Sequence, residues 1–245
     1  MGVRQMTALG VACLAAALLG CQTTGVGPEP VPASAATAET SGTSVVEPDW
    51  TLLPMPRQMA VTGTTGVAVL EQALEPTAGR PVARVAPQEM PHPNGYEMTV
   101  GPDGVTAIAH DPAGAFYAEQ TLKQLARLAR RNGCAPVCRI VDWPDFPNRG
   151  VMIDVARCKV PEMKTLYELV DLLASWKINQ LQMYTEHTYA YQGHHVVWED
   201  ASPMTAEQIR DLDAYCRERF IQLIPNQNSF GHMERWLRHP QYADL

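Results

Sequence analysis

The arrangement of apolar positions changes character twice along the chain. From Gln22 to about Pro48 the residues are mostly Thr, Gly, Pro, Ala, Ser and Glu, with almost nothing large and apolar. Such a stretch buries too little surface to offset the entropy lost on ordering, so residues 22–48 are expected to be a disordered tether. Between Trp50 and Val141 the pattern is short strands and then one helix. Tyr96, Met98 and Val100 alternate with polar neighbours, Gly101-Pro102-Asp103-Gly104 supplies turn chemistry, and Val105, Ala107 and Ala109 resume the alternation, which predicts a hairpin. Asp111-Pro112 reads as a helix start, with Asp111 as cap and Pro112 in the first turn, where a missing N–H is harmless. Ala118, Leu122, Leu125, Ala126 and Ala129 follow at helical spacing and would cover one sheet face.

After the Pro-rich connector Trp143-Pro144-Asp145-Phe146-Pro147 the rhythm becomes strand, helix, strand, helix, strand. Gly150 to Val155 is a mostly apolar run, as expected of a parallel strand buried on both faces. Pro161 to Trp176 is helical, with Met163, Leu166, Leu169, Val170 and Leu173 on one side, and Ile178 to Tyr184 reads as the second strand. Thr205-Ala206-Glu207-Gln208 forms a capping box that opens a helix through Arg219, and Phe220 to Ile224 reads as the third strand. Strands and helices in alternation imply parallel βαβ units and an α/β class.

Composition narrows the partners. With 46% hydrophobic and 18% charged residues the chain is globular, and a net charge of -7 leaves no basic surface to neutralise phosphates, so nucleic acid is excluded as a partner. Arg4 precedes a run from Thr7 to Gly20 that is almost wholly apolar or small. As a helix this run would reach only about 21 Å, short of a bilayer core of about 30 Å, so it predicts an export signal and not a span. The run ends Leu18-Leu19-Gly20-Cys21, which resembles the lipobox of bacterial lipoproteins. That resemblance implies a signal over residues 1–21, lipidation of Cys21, and, because Gln22 and not Asp follows, the outer membrane of the cell envelope. Export permits disulfides; Cys134 and Cys138 are close enough to bridge across a turn, and buried free thiols are the alternative.

Arg149-Gly150-Val151-Met152-Ile153-Asp154-Val155-Ala156-Arg157 resembles the first barrel strand of the family 20 glycoside hydrolases, the β-N-acetylhexosaminidases. Gly95-Tyr96-Glu97-Met98 and the stretch from Gly114 to Leu122 resemble the hairpin and helix of that family's small α+β domain, and Phe230-Gly231-His232 the end of its third strand. The resemblance implies an α+β domain over residues 49–145, followed over 146–245 by an incomplete (β/α)8 TIM barrel. It also implies removal of terminal N-acetylhexosamine from glycans, with the sugar's own acetamido group as nucleophile, without cofactor or metal.

A barrel carries its site at the C-terminal ends of its strands, so residues there should converge on one mouth. Arg157 matches a family Arg that contacts sugar hydroxyls, for which a guanidinium with five donors is suited. His232 matches a family His paired with an acid after strand two, here Glu186, and this supporting dyad would orient the catalytic carboxyl. Tyr184, His187, Asn228 and Trp198 are the remaining candidates for the substrate, with Tyr189 and Tyr191 as possible stacking surfaces. His187, His194 and His195 are spaced too loosely to predict a metal. The chain departs from the family where strand two ends Thr185-Glu186-His187 in place of an acidic pair before Gly-Trp, and where Asn226-Gln227-Asn228 replaces an acidic turn.

The family's catalytic Asp-Glu pair ends strand four, and no Asp-Glu dipeptide follows Arg149. A complete barrel needs about 250 residues. The chain is therefore expected to be a fragment that hydrolyses nothing at a useful rate alone. The alternative from another class is a non-catalytic glycan-binding lipoprotein of the envelope.

Overall fold

The computed structural model describes residues 48–75, 82–157 and 159–244. The export signal, Cys21, nearly all of the tether and Cys158 lie outside the described residues. The chain divides into Met1–Val45 and Val46–Leu245, and every strand and helix named below belongs to the second unit. Among the described residues no helix is long and apolar enough to cross a membrane.

The first sheet has five strands, β1 (Gln58–Thr65), β2 (Arg84–Val85), β3 (Tyr96–Gly101), β4 (Gly104–Ala109) and β5 (Ala135–Asp142), in the order β1-β5-β3-β4-β2. The hairpin pairs Tyr96 with Ala109 through Gly101 with Gly104, in the register the alternation predicts. Helices α1 (Ala68–Leu74) and α2 (Pro112–Asn132) complete this layer. Leu122, Leu125, Ala126 and Ala129 of α2 are buried with Tyr96, Met98, Val100 and Ile140 of the sheet. Cys134 and Cys138 are free thiols. Cys138 sits within β5, opposite Val61 and Val100, and burial pushes its thiol up to about 11.

The start of α2 shows why glycine stands at positions 95 and 114. Asp111 caps the helix by accepting from the Gly114 N–H at 2.8 Å, and its other oxygen accepts from the Asn94 N–H at 2.8 Å. Burial raises the Asp111 pKa, but these N–H donors outweigh it and hold the carboxyl below its ordinary value. Drawing helix and loop together leaves no room at Gly114, where an added Cβ would lie 2.3 Å from the Gly95 carbonyl oxygen. Gly114→Ala gains about 1 kcal/mol of helix propensity. It must also displace backbone on both sides, an overpacking cost of about 1–3 kcal/mol. A net loss of stability, read as a lower urea midpoint, is the expected result.

The second sheet contains β6 (Gly150–Asp154), β7 (Gln180–Thr185) and β8 (Gln222–Gln227), all parallel and in that order. Helices α3 (Met163–Ser175) and α5 (Ala206–Arg217) cover one face, burying Leu166, Val170, Leu173, Leu212 and Cys216 against Leu181 and Met183. Short helices α4 (His195–Trp198) and α6 (Glu234–Leu237) and a closing 3-10 turn (Pro240–Tyr242) complete the chain. The expectation that β6 is buried on both faces is corrected. Its exposure alternates, Met152 is 57% exposed, and the helices lie on the other side. The register places Gly150, Gln180 and Gln222 in one row and Met152, Gln182 and Ile224 in the next, on the uncovered face.

β7 and β8 both begin two residues later than the apolar pattern suggests. Lys177 and Phe220 adopt left-handed backbone, φ 60° and 55°, and the Ile178 and Ile221 N–H groups bond back to Leu173 and Cys216 carbonyls. Each helix thus ends in a Schellman turn, for which glycine is the usual signal. Here side-chain contacts hold the turns instead: Lys177 is anchored to Asp142, and the Phe220 ring lies 5.4 Å from that of Phe116.

Candidate active site

The register brings Asp154, Tyr184 and Asn226 to one level at the C-terminal ends of the three parallel strands. The next residues to emerge are Arg157, Glu186 and Asn228, and a single chain of polar contacts joins them. Asn228 Nδ2 donates to the Tyr184 hydroxyl at 2.6 Å, and that hydroxyl donates to Glu186 Oε1 at 2.8 Å. The same carboxylate oxygen lies 3.2 Å from Arg157 Nη2. Arg157 Nη1 also pairs with Asp154, and the guanidinium carbon stands 5.2 Å from the Tyr184 ring centroid. A cation over a tyrosine face is attracted by about 0.5–1 kcal/mol at an exposed site.

Burial divides this chain into support and contact. The Glu186 side chain is 10% exposed, and that of Arg157 is 47% exposed. The carboxylate is therefore the fixed end, while the guanidinium reaches solvent with donors to spare. Glu186 is further held through its backbone carbonyl, which accepts from Gln227 Nε2 at 3.0 Å and from the Trp236 indole at 2.7 Å. Burial tends to raise the Asp154 pKa. Bonds from the Ala156 N–H and Arg157 outweigh it and keep the carboxyl below its usual range.

The expected Glu186–His232 dyad does not form. Glu186 spends its carboxylate on Tyr184 and Arg157, and His232 is exposed, with no bond to any described residue. The turn after β8 explains this: the Asn228 side chain accepts from the Phe230 and Gly231 N–H groups, and His232 follows in left-handed backbone at φ 52°. His187 is also displaced from its expected role, being buried, with its Nδ1 unpaired, as is the neighbouring Thr188 hydroxyl. Trp198 is not an open platform. It is half-buried, donates to the Tyr191 carbonyl at 3.0 Å, and meets the His195 ring edge-on.

Tyr189 and Tyr191 meet edge to face at 4.6 Å, and Tyr191 meets Trp236 at 5.6 Å. His194 bonds the Tyr242 hydroxyl at 2.7 Å. These rings tie the loop after β7 to the segment after β8. An apolar hollow of about 420 Å³ beside Tyr189, Tyr191, Met204 and Ile209 lies on the helix side of the sheet, away from Arg157. Among the described residues no three His, Cys, Asp or Glu side chains gather as a metal site would need. Asp154, Gln227, Trp236 and the fully exposed Phe230 complete the rim, and sequence reasoning did not select them. For Asp154 the signal was available, three residues before Arg157 on the same strand end.

His187 makes stability depend on pH. Burial, together with the charges of Arg235 and Arg238 and against that of Glu186, holds its pKa below the ordinary 6.5. The unfolded chain therefore binds the proton more readily, and stability falls as pH drops from about 6.5 through the lower folded-state value. Urea midpoints measured at pH 7.5 and pH 5 should differ less for His187→Gln than for the parent chain. An unchanged difference would show that other groups carry the pH dependence.

Comparison with known proteins fits this geometry. The sequence model "Glycosyl hydrolase family 20, domain 2" matches residues 56–143, and "Glycosyl hydrolase family 20, catalytic domain" matches residues 146–244. A β-hexosaminidase of Akkermansia muciniphila is 30% identical over 166 residues, covering 59% of this chain and 34% of its own. The N,N'-diacetylchitobiase of Vibrio harveyi is 35% identical over 96 residues, covering 39% of this chain and 11% of its own. The chain thus spans about a third or less of these curated relatives' length. The crystal structure of a β-N-acetylhexosaminidase from Bacteroides fragilis superposes with a TM-score of 0.62 at 19% identity, over 79% of this chain and 48% of the other, which shows a shared fold.

Proposed function

Since the chain belongs to glycoside hydrolase family 20, with an α+β domain and an incomplete (β/α)8 barrel, we propose that it supplies the hydroxyl-binding part of a β-N-acetylhexosaminidase site. The whole enzyme would remove terminal N-acetylhexosamine from glycans. The observation that carries this reading is the relay Asn228–Tyr184–Glu186–Arg157 across three strand ends. A sugar hydroxyl pair presents acceptors about as far apart as two N–H groups of one guanidinium. A guanidinium fixed by a buried carboxylate loses little freedom on binding it. The buried Glu186 is a positioning residue in this scheme, and Arg157 touches the sugar.

The family's substrate-assisted reaction needs no second protein carboxylate as nucleophile, because the acetamido oxygen attacks the anomeric carbon. It does need a general acid, and these residues offer no Asp-Glu pair after Arg149. A missing general acid costs about 10²–10⁴ in rate. The protein made from the whole reading frame should therefore release aryl alcohol from an aryl N-acetyl-β-glucosaminide and spare the aryl β-glucoside. These 245 residues alone should release none. Cleavage of both substrates alike would contradict the acetamido mechanism.

Cys21 is proposed as the lipidated first residue of the mature protein, facing the outer membrane. Support comes from the order Arg4, apolar run, Leu18-Leu19-Gly20-Cys21 and the tether composition that follows.

A further inference from the structure

We propose that Leu53, Met55, Phe146 and Trp176 form a surface that docks on the lipid bilayer, turning the Arg157 end of the strands away from the membrane. The inference rests on the lipid-anchor reading of Cys21 and on the strand-end reading of the site. These four side chains are 58%, 75%, 72% and 43% exposed, unlike the buried apolar residues around them. They are neighbours. Met55 and Phe146 line one cleft, and both the N–H and the carbonyl of Leu53 bond to the Gln124 amide, which also donates to the Ser175 carbonyl beside Trp176.

Their place in the fold gives the orientation. Phe146 precedes β6 and Trp176 precedes β7, so both lie at the N-terminal ends of the parallel strands. Arg157, Glu186 and Asn228 follow the opposite ends, about 16 Å away along a five-residue strand. In the sequence, Leu53 follows Cys21 by 32 residues. If residues 22–48 are the flexible tether that their composition predicts, they would span about 30 Å, a reach that would let this surface touch the bilayer.

The occupant is lipid because the attraction is apolar. The cations nearby are already engaged: Arg149 donates to the Phe146, Pro147 and Lys177 carbonyls and to the Tyr117 hydroxyl, and Arg57 pairs with Asp145. Headgroup charge therefore contributes little, and a net charge of -7 would oppose an anionic surface. Apolar side chains and a tryptophan at the headgroup boundary suit an interfacial contact.

The test uses residues 22–245, which carry neither signal nor lipid and retain the whole compact unit. Co-sedimentation with vesicles of phosphatidylethanolamine and phosphatidylglycerol is measured for this chain, for Met55→Asp, for Met55→Asp with Phe146→Asp, and for Phe230→Asp as a control at the other end. The parent should bind, and 0.5 M salt should not release it. The double variant should lose on the order of tenfold or more in binding, the factor that burying one large side chain supplies. Phe230→Asp should bind as the parent does. Circular dichroism confirms folding, and Met55→Asp alters so exposed a position that it keeps the test valid if the double variant unfolds. The proposal is overturned if the parent ignores vesicles, if salt releases it, if the Met55 variants bind undiminished, or if Phe230→Asp abolishes binding. Palmitate incorporation lost in Cys21→Ser tests the anchor separately, so a lipidated protein whose unlipidated form ignores vesicles overturns the docking surface alone.

Discussion

Lys177→Met should destabilise the fold by about 3–5 kcal/mol, the cost of leaving one member of a buried ion pair without its partner. Lys177 Nζ lies 2.7 Å from Asp142 Oδ2 and 2.9 Å from the Tyr96 hydroxyl, with side chains of the pair only 8% and 10% exposed. Burial lowers the lysine's pKa against the pull of Asp142, and burial with the Asp142 charge raises that of Tyr96 well above its usual value. Lys177 comes from the turn after α3, whereas Asp142 ends β5 and Tyr96 begins β3 of the antiparallel sheet, so one side chain joins the two sheets' hydrogen-bond systems. Desolvation offsets most of the gain from such a pair, so its removal as a unit is far milder than its disruption. Lys177→Met combined with Asp142→Leu should therefore recover a large part of the lost urea stability. A single variant within about 1 kcal/mol of the parent would contradict the assignment.

Helix α2 was legible because three independent local signals agree: the Asp111 cap, Pro112 in the first turn and an apolar stripe at helical spacing. Strand β5 was not legible. It follows α2 after Gly133, and its apolar residues Val137, Cys138, Ile140 and Val141 lie on both faces, so no clean alternation marks it. β1 reads poorly for the opposite reason, since most of its residues are exposed. The late starts of β7 and β8 come from turns at Lys177 and Phe220 that only tertiary contacts hold, and a pattern of apolar positions carries no trace of them.

The place of Arg157 at the end of the first parallel strand was legible, because the strand itself is recognisable in the sequence. The bond from Asn228 to Tyr184 was not, because those residues are 44 apart in sequence and meet only when strand register is fixed. The misplaced His232 has the same root. Residue type and spacing suggested an acid–imidazole pair, but the backbone turn built on Asn228 decides where the ring goes. Aromatic residues likewise announced themselves without announcing their partners. Tyr189, Tyr191 and Trp198 were available as sugar platforms or as packing, and the contacts they make, with one another and with Trp236, depend on loops that only the fold brings together.

Arg157→Ala should remove sugar binding from this chain, a loss of at least tenfold, since it deletes the charged donors that the relay presents to solvent. Glu186→Gln keeps the bulk of the side chain and removes the charge that holds the guanidinium. It should weaken binding less than Arg157→Ala, while a change confined to Tyr191, which bonds Gln227 at 2.6 Å on the helix side, should leave it unaltered. The measurement that bears on this most directly is calorimetric titration of N-acetylglucosamine into the 245-residue chain and its Arg157→Ala variant. Saturable heat from the parent that vanishes in the variant is the predicted result; equal heats from both, or none from a folded parent, would contradict a sugar-binding site at the ends of these strands.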